Sequence, residues 1–147
     1  MLLTLVAAAD AGAAGETPVG AVIRDALGWT LASAGNACLA VGDPTAHAEL
    51  QALRQAARRI QRQRLPGCTL YVSLEPCPLC QAAMESFRVE HALYLASRPP
   101  EALEARRPTP TRRMGCSETS DSPDSPPLSP AAGALLTIFF ESLRQHC

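Results

Sequence analysis

The chain has 147 residues, 47% of them hydrophobic, and a formal net charge of −1. That length suits one domain with a real core, and the near-neutral charge excludes a protein that meets nucleic acid through a global basic field. All 13 basic residues are arginine, and no apolar stretch is long enough to span a membrane.

Leu2, Leu5, Val6, Ala9 and Ala13 recur at helical spacing and predict a first helix over 2–14. The same segment superficially resembles a secretory leader, but it lacks a basic n-region and Asp10 interrupts it, so a buried helix is the reading. Gly15 to Pro18 breaks that helix. Gly20 to Arg24 is a short apolar run and predicts a buried strand. A turn over Asp25–Gly28 leads to a returning strand at 29–33, and Gly35-Asn36 opens a loop. Asp43-Pro44-Thr45 is a helix-start signal, with Thr45 or Asp43 as cap. Leu50, Leu53, Ala57 and Ile60 then mark the buried face of a helix over about 46–62, with Pro66-Gly67 beyond its end. Residues 69–74 form a continuous apolar strand of the kind found inside parallel or mixed sheets. Pro78 suits the first turn of a helix reaching Phe87, and residues 91–95 make a fourth strand. Strands alternating with helices predict an α/β layered domain.

The chain changes character at Arg98. Residues 98–133 are rich in proline, serine and arginine, poor material for a core, and read as a linker or irregular segment. Leu135, Leu136, Ile138, Phe139 and Leu143 predict a C-terminal helix over 134–147 that packs on the core formed by residues 1–97.

Chemistry concentrates in His47-Ala48-Glu49 and Pro76-Cys77-Pro78-Leu79-Cys80. Each segment falls at the start of a predicted helix. Cys77 and Cys80 are three apart, share a helix face and can hold one metal ion together. Helix N-termini favour negative charge and so favour both sulfurs as thiolates. With His47 they offer three protein ligands for one Zn2+ per chain, leaving the fourth tetrahedral position for water. Zinc lowers the pKa of such a water to about 7. Glu49 projects to another side of the first turn and is the candidate catalytic residue, carrying protons from water to a ring nitrogen and then to a leaving amine. C-x-x-C alone is ambiguous among structural zinc, a redox pair and chance, and a closed structural site wants a fourth side chain. The other histidines are His91 and His146, and His91 reads as an ordinary strand-edge residue. The six cysteines read as two ligand thiolates and four free thiols in a reduced, cytoplasmic chain.

These residues, together with Glu16-Thr17-Pro18-Val19-Gly20-Ala21-Val22, Gly35-Asn36, Asp43-Pro44-Thr45 and Leu70 to Glu75, resemble the cytidine deaminase-like superfamily. H-x-E followed by P-C-x-x-C is the general signature of its zinc deaminases of nucleobases. The chain looks most like the bacterial tRNA adenosine deaminases, with guanine deaminases as near cousins. The resemblance runs over about 1–95 and faintly resumes at 134–140. It implies a three-layer α/β/α fold around a mixed sheet, one zinc, a homodimer, and Asn36 as a substrate-binding residue that hydrogen-bonds the target base. It also implies backbone contacts to the ring near Pro76 and Cys77. An amide both donates and accepts, which suits a purine edge; an asparagine after Gly35 is also an ordinary turn residue.

Three functions stay open on this basis. The first is adenosine-to-inosine deamination at a tRNA wobble position. The second is deamination of a free base or nucleoside, guanine and then cytosine. The third is a non-catalytic zinc-containing partner subunit. After the fourth strand the chain departs from the family pattern. Where a basic, glycine-rich RNA-gripping loop is expected stand Arg98, Arg106, Arg107, Arg112 and Arg113, either a flexible phosphate-contacting arm or a solvated linker.

Overall fold

The computed structural model describes residues 1–98. The expected linker beyond Arg98 and the C-terminal helix lie outside the described residues. The described chain runs α1 (Leu2–Ala13), β1 (Gly20–Arg24), β2 (Thr30–Gly35), α2 (Cys38–Val41), α3 (Ala48–Arg59), β3 (Thr69–Leu74), α4 (Pro78–Phe87) and β4 (His91–Ala96). The four strands form one sheet in the order β2-β1-β3-β4. β1 is antiparallel to both neighbours, and β3 and β4 are parallel, joined by the α4 crossover. The sheet is therefore mixed.

Strand alternation decides which helix covers which face. Ala21 and Ile23 of β1 and Ala32 and Ala34 of β2 point toward α3 and α4, joining Leu53, Ala56, Met84, Leu70 and Val72 in one buried cluster. Gly20 and Gly35 pair across the ladder and face α1. A methyl group at Gly20 would collide with the Thr4 carbonyl and the Ala8 nitrogen, and one at Gly35 would lie 2.8 Å from the Ala7 carbonyl oxygen. Two residues without side chains thus let α1 settle directly on the backbone of the sheet. α1 on one face and α3 with α4 on the other give the expected three layers.

Local chemistry explains where the boundaries differ from expectation. Asp25 Oδ1 accepts the backbone N–H groups of Leu27 and Trp29 at 3.0 and 2.9 Å, and Gly28 takes φ +85°. This side-chain turn absorbs Trp29, so β2 starts at Thr30 and extends to Gly35 rather than spanning 29–33. Neither Asp43 nor Thr45 caps α3. Asp43 Oδ1 accepts both the N–H and the hydroxyl of Thr45 at 2.7 Å, which closes a separate turn and leaves His47 as the N-cap. The same helix stops at Arg59, short of residue 62, because Gln61 adopts φ +52° and Arg62 N–H returns to the Ala57 carbonyl at 3.0 Å. That is a Schellman closure made without glycine. α4 ends the same way at Arg88, with φ +60°. The short helix α2, in the expected loop after Asn36, has no periodic signal in four residues.

Candidate metal centre

The two motif segments arrive at the same place because both occupy helix N-termini at one end of the domain. His47 is the N-cap of α3 and Cys77 the N-cap of α4, each in extended conformation. Pro78, at the first position of α4, has no N–H to leave unsatisfied and holds φ ready for the helix. Gln81 N–H closes the first helical bond on the Cys77 carbonyl at 2.9 Å. One turn in, Cys80 is carried back over Cys77.

The donor atoms form a nearly equilateral triangle. Cys77 Sγ and Cys80 Sγ are 3.4 Å apart, and His47 Nδ1 lies 3.5 Å from the first and 3.4 Å from the second. A tetrahedral zinc with Zn–S of about 2.3 Å and Zn–N of about 2.0 Å requires donor separations of roughly 3.5–3.8 Å. The triangle fits one face of that tetrahedron. Among the described residues this is the one cluster of three histidine, cysteine or acidic donors so arranged. Cys77 and Cys80 are buried against Leu50, and His47 is partly exposed.

Without metal the two sulfurs share a proton. Cys77 ionises first, its thiol lowered to about 4 by the hydrogen bond with Cys80 and by nearby His47. The same hydrogen bond, and then burial, pushes the Cys80 thiol up. A divalent cation is what allows both to ionise in so dry a place.

Glu49, the second residue of α3, is 4% exposed. Burial raises its carboxyl above the usual value, while hydrogen bonds to its own backbone N–H and to Cys80 partly oppose that shift. It thus sits against the thiolate pair without belonging to the ligand triangle. A buried carboxyl with raised proton affinity is suited to take up and return protons.

Asn36 is fixed beside this centre by backbone bonds. Its own N–H donates to the Val19 carbonyl, and Ala37 N–H donates to the Ala46 carbonyl, both at 3.0 Å, one residue before His47. The side-chain Nδ2 donates to Glu16 Oε2 at 3.1 Å, and Oδ1 accepts from Cys38 Sγ at 3.7 Å. Sequence reasoning gave no role to Glu16, Glu75 or Arg98 in the site. Arg98 donates its N–H to Glu75 Oε2 at 3.0 Å and its guanidinium to the Glu75 carbonyl at 3.1 Å. Glu75 N–H in turn donates to the Ala96 carbonyl at 2.8 Å. The first arginine of the expected basic arm therefore braces the turn that delivers Pro76 and Cys77. A residue following a strand by two positions carries no signal for that pairing.

Comparison with known proteins agrees with this geometry. The family model for the cytidine and deoxycytidylate deaminase zinc-binding region matches residues 1–96. A tRNA-specific adenosine deaminase of Agrobacterium fabrum is 43% identical over 100 residues, covering 67% of this chain and 64% of the relative. A solved structure from a study of A-to-I editing by tRNA:A34 deaminases at the wobble position is 42% identical, with a TM-score of 0.65, and the match covers 67% of this chain and 75% of that one. The structure of a guanine deaminase from Bacillus subtilis is 28% identical, with a TM-score of 0.64, covering 97% of this chain and 89% of that one. The chain spans less than two thirds of the curated relatives it matches. With the family model covering both motif segments and the three donors converging as its zinc region requires, this chain belongs to the cytidine and deoxycytidylate deaminase zinc-binding family.

Proposed function

We propose that this protein is a zinc-dependent hydrolytic deaminase that converts adenosine to inosine at a tRNA wobble position. The observation that carries the reading is the His47–Cys77–Cys80 triangle with the buried Glu49 carboxyl against it. The identity of 42–43% to tRNA adenosine deaminases supports the substrate. His47, Cys77 and Cys80 hold the metal, which when bound supplies the Lewis acidity that makes a water nucleophilic at neutral pH. Glu49 is placed to take a proton from the attacking water and give it to a ring nitrogen as the C–O bond forms, then to carry the proton of the added hydroxyl to the amine, so that the C–N bond breaks and ammonia leaves. One carboxyl serves as base and then acid. Asn36 hydrogen-bonds the edge of the target base and holds it in register for attack.

Arg54, Arg58 and Arg62 of α3 and the turn after it line a cavity of about 480 Å³ with Phe87 at the end of α4. It is well placed to take phosphates of an RNA whose reacting base reaches the other end of α3. We assign residues 1–97 to the deaminase core. The protein acts in the cytoplasm as a homodimer. The guanine deaminase likeness over 97% of the chain favours one second reading, a free base as substrate.

Purified protein is incubated with an adenosine-bearing anticodon stem-loop, with guanine and with cytosine, and ammonia and the base products are measured. Inosine in the stem-loop supports the leading reading. Guanine turnover without RNA turnover replaces it with the second, and zinc-loaded protein that turns over no base leaves the non-catalytic subunit.

A further inference from the structure

We propose that Glu16 is a positioning residue for base recognition: it sets which edge of the Asn36 amide faces the candidate site. The inference rests on the deaminase reading for its kinetic consequence but not for its geometry. Glu16 is 5% exposed. It enters the interior where Gly15, at φ +82°, turns the chain out of α1, and its N–H is held by the Ala11 carbonyl at 3.0 Å.

The two carboxylate oxygens do separate work. Oε1 accepts the N–H groups of Leu39 and Ala40 at 2.7 and 2.8 Å. These are the second and third residues of α2, whose N-cap Ala37 has no side-chain oxygen to serve them. Glu16 is therefore the cap of that helix, supplied from across the fold. Oε2 accepts Asn36 Nδ2 at 3.1 Å. A carboxylate only accepts, so the nitrogen edge of the amide must face it. Oδ1 is then turned the other way, toward Cys38. The backbone N–H groups of Asn36 itself and of Ala37 after it are tied to Val19 and to Ala46, so the amide has fixed polarity as well as fixed position. An isolated asparagine on a turn would present either edge; this one offers an oxygen and one remaining N–H in a set order.

Glu16→Gln tests the idea by inverting one bond with little change of shape. The glutamine oxygen still caps Leu39 and Ala40, while its NH2 meets Asn36 Nδ2, donor against donor. The amide of Asn36 must rotate, exchanging acceptor for donor at the base. Zinc-loaded full-length wild type, Glu16→Gln, Asn36→Ala and the double variant are compared on the stem-loop and on guanine. On the substrate that wild type prefers, Glu16→Gln is expected to lower kcat/KM about tenfold, mostly through KM, with zinc content unchanged. In the Asn36→Ala background the same change is expected to cost less than about twofold, since the two residues act as one unit. Side-chain amide hydrogen exchange of 15N-labelled protein gives a readout free of catalysis. One Asn36 Nδ2 proton, identified by its loss in Asn36→Ala, is protected in wild type and loses protection in Glu16→Gln. Unchanged protection, or an equal kinetic loss with and without Asn36, overturns the proposal. Wild type that turns over no base defeats the deaminase reading alone, and the exchange result then decides Glu16 by itself.

Discussion

Replacing Glu49 by glutamine separates chemistry from folding at the buried carboxyl beside the metal centre. Glu49 is 4% exposed, and the adjoining donor cluster of His47, Cys77 and Cys80 holds no carboxylate. Loss of a positioned acid–base group costs about 10²–10⁴ in rate, or roughly 3–5 kcal/mol of barrier. Glu49→Gln is therefore expected to lose at least about a hundredfold in kcat on its preferred substrate while keeping zinc. The metal-free proteins should differ in the opposite sense. Burial raises the Glu49 carboxyl from its ordinary value of 4.5, so the folded state binds this proton more tightly than the unfolded chain. Its contribution to stability is complete below the unfolded value and is lost as pH rises through the folded one. Glutamine has no charge to bury. Chelator-treated Glu49→Gln should thus gain in melting temperature relative to wild type between pH 4 and pH 7, with little difference at the acid end. Steady-state kinetics with metal analysis, and thermal unfolding across that pH range, measure the two effects. A variant that keeps more than about a tenth of wild-type kcat with full zinc would refute the assignment of Glu49. A wild type whose stability advantage over the variant grows with pH would refute the burial argument.

Three further outcomes are expected. Serine at Cys77 or Cys80, or alanine at His47, should lower bound zinc from about one per chain to a small fraction in protein never exposed to chelator, because two donors seldom hold a tetrahedral ion; near-stoichiometric zinc in any of the three would argue against the triangle. Alanine at both Arg54 and Arg58 should weaken stem-loop binding and reduce its salt slope by about 1.4–1.8, the loss of two phosphate contacts, with guanine turnover untouched; an unchanged slope removes this groove from the RNA footprint. Gly20→Ala places a methyl against the Thr4 carbonyl and the Ala8 nitrogen and should destabilise the fold by about 1–3 kcal/mol in denaturant titration, whereas a neutral result would mean that α1 does not rest on the sheet as described.

The readable parts of this chain were those where local chemistry repeats itself. Leu50 and Leu53 sit on the buried face of α3, and Gly20 to Arg24 is a strand covered on both sides, because periodicity and apolar content act through the residues themselves. The motif was legible for a related reason. His47, Cys77 and Cys80 are chemically unusual residues, and helix starts were placed beside them by Pro44 and Pro78. What failed was decided by bonds between a side chain and a distant or unexpected backbone. Asp43 spends its carboxylate on Thr45 and so does not cap α3. Gln61 and Arg88 end helices in a conformation normally left to glycine, because the closing bonds to Ala57 and Met84 outweigh their strain.

Sequence by itself determined the donor set and singled out Glu49 as the candidate proton carrier, since ligand chemistry belongs to residue type and short spacing keeps Cys77 and Cys80 on one helix face. It also determined the α/β layering, since alternating strand and helix patterns have few ways to bury their apolar faces. Only the tertiary structure decided that His47 closes the triangle at 3.4–3.5 Å, that Arg98 braces Glu75, and that Glu16 holds both α2 and Asn36. Each of those contacts joins groups at least 20 residues apart, and such groups meet only when packing of the layers has fixed the distance between them.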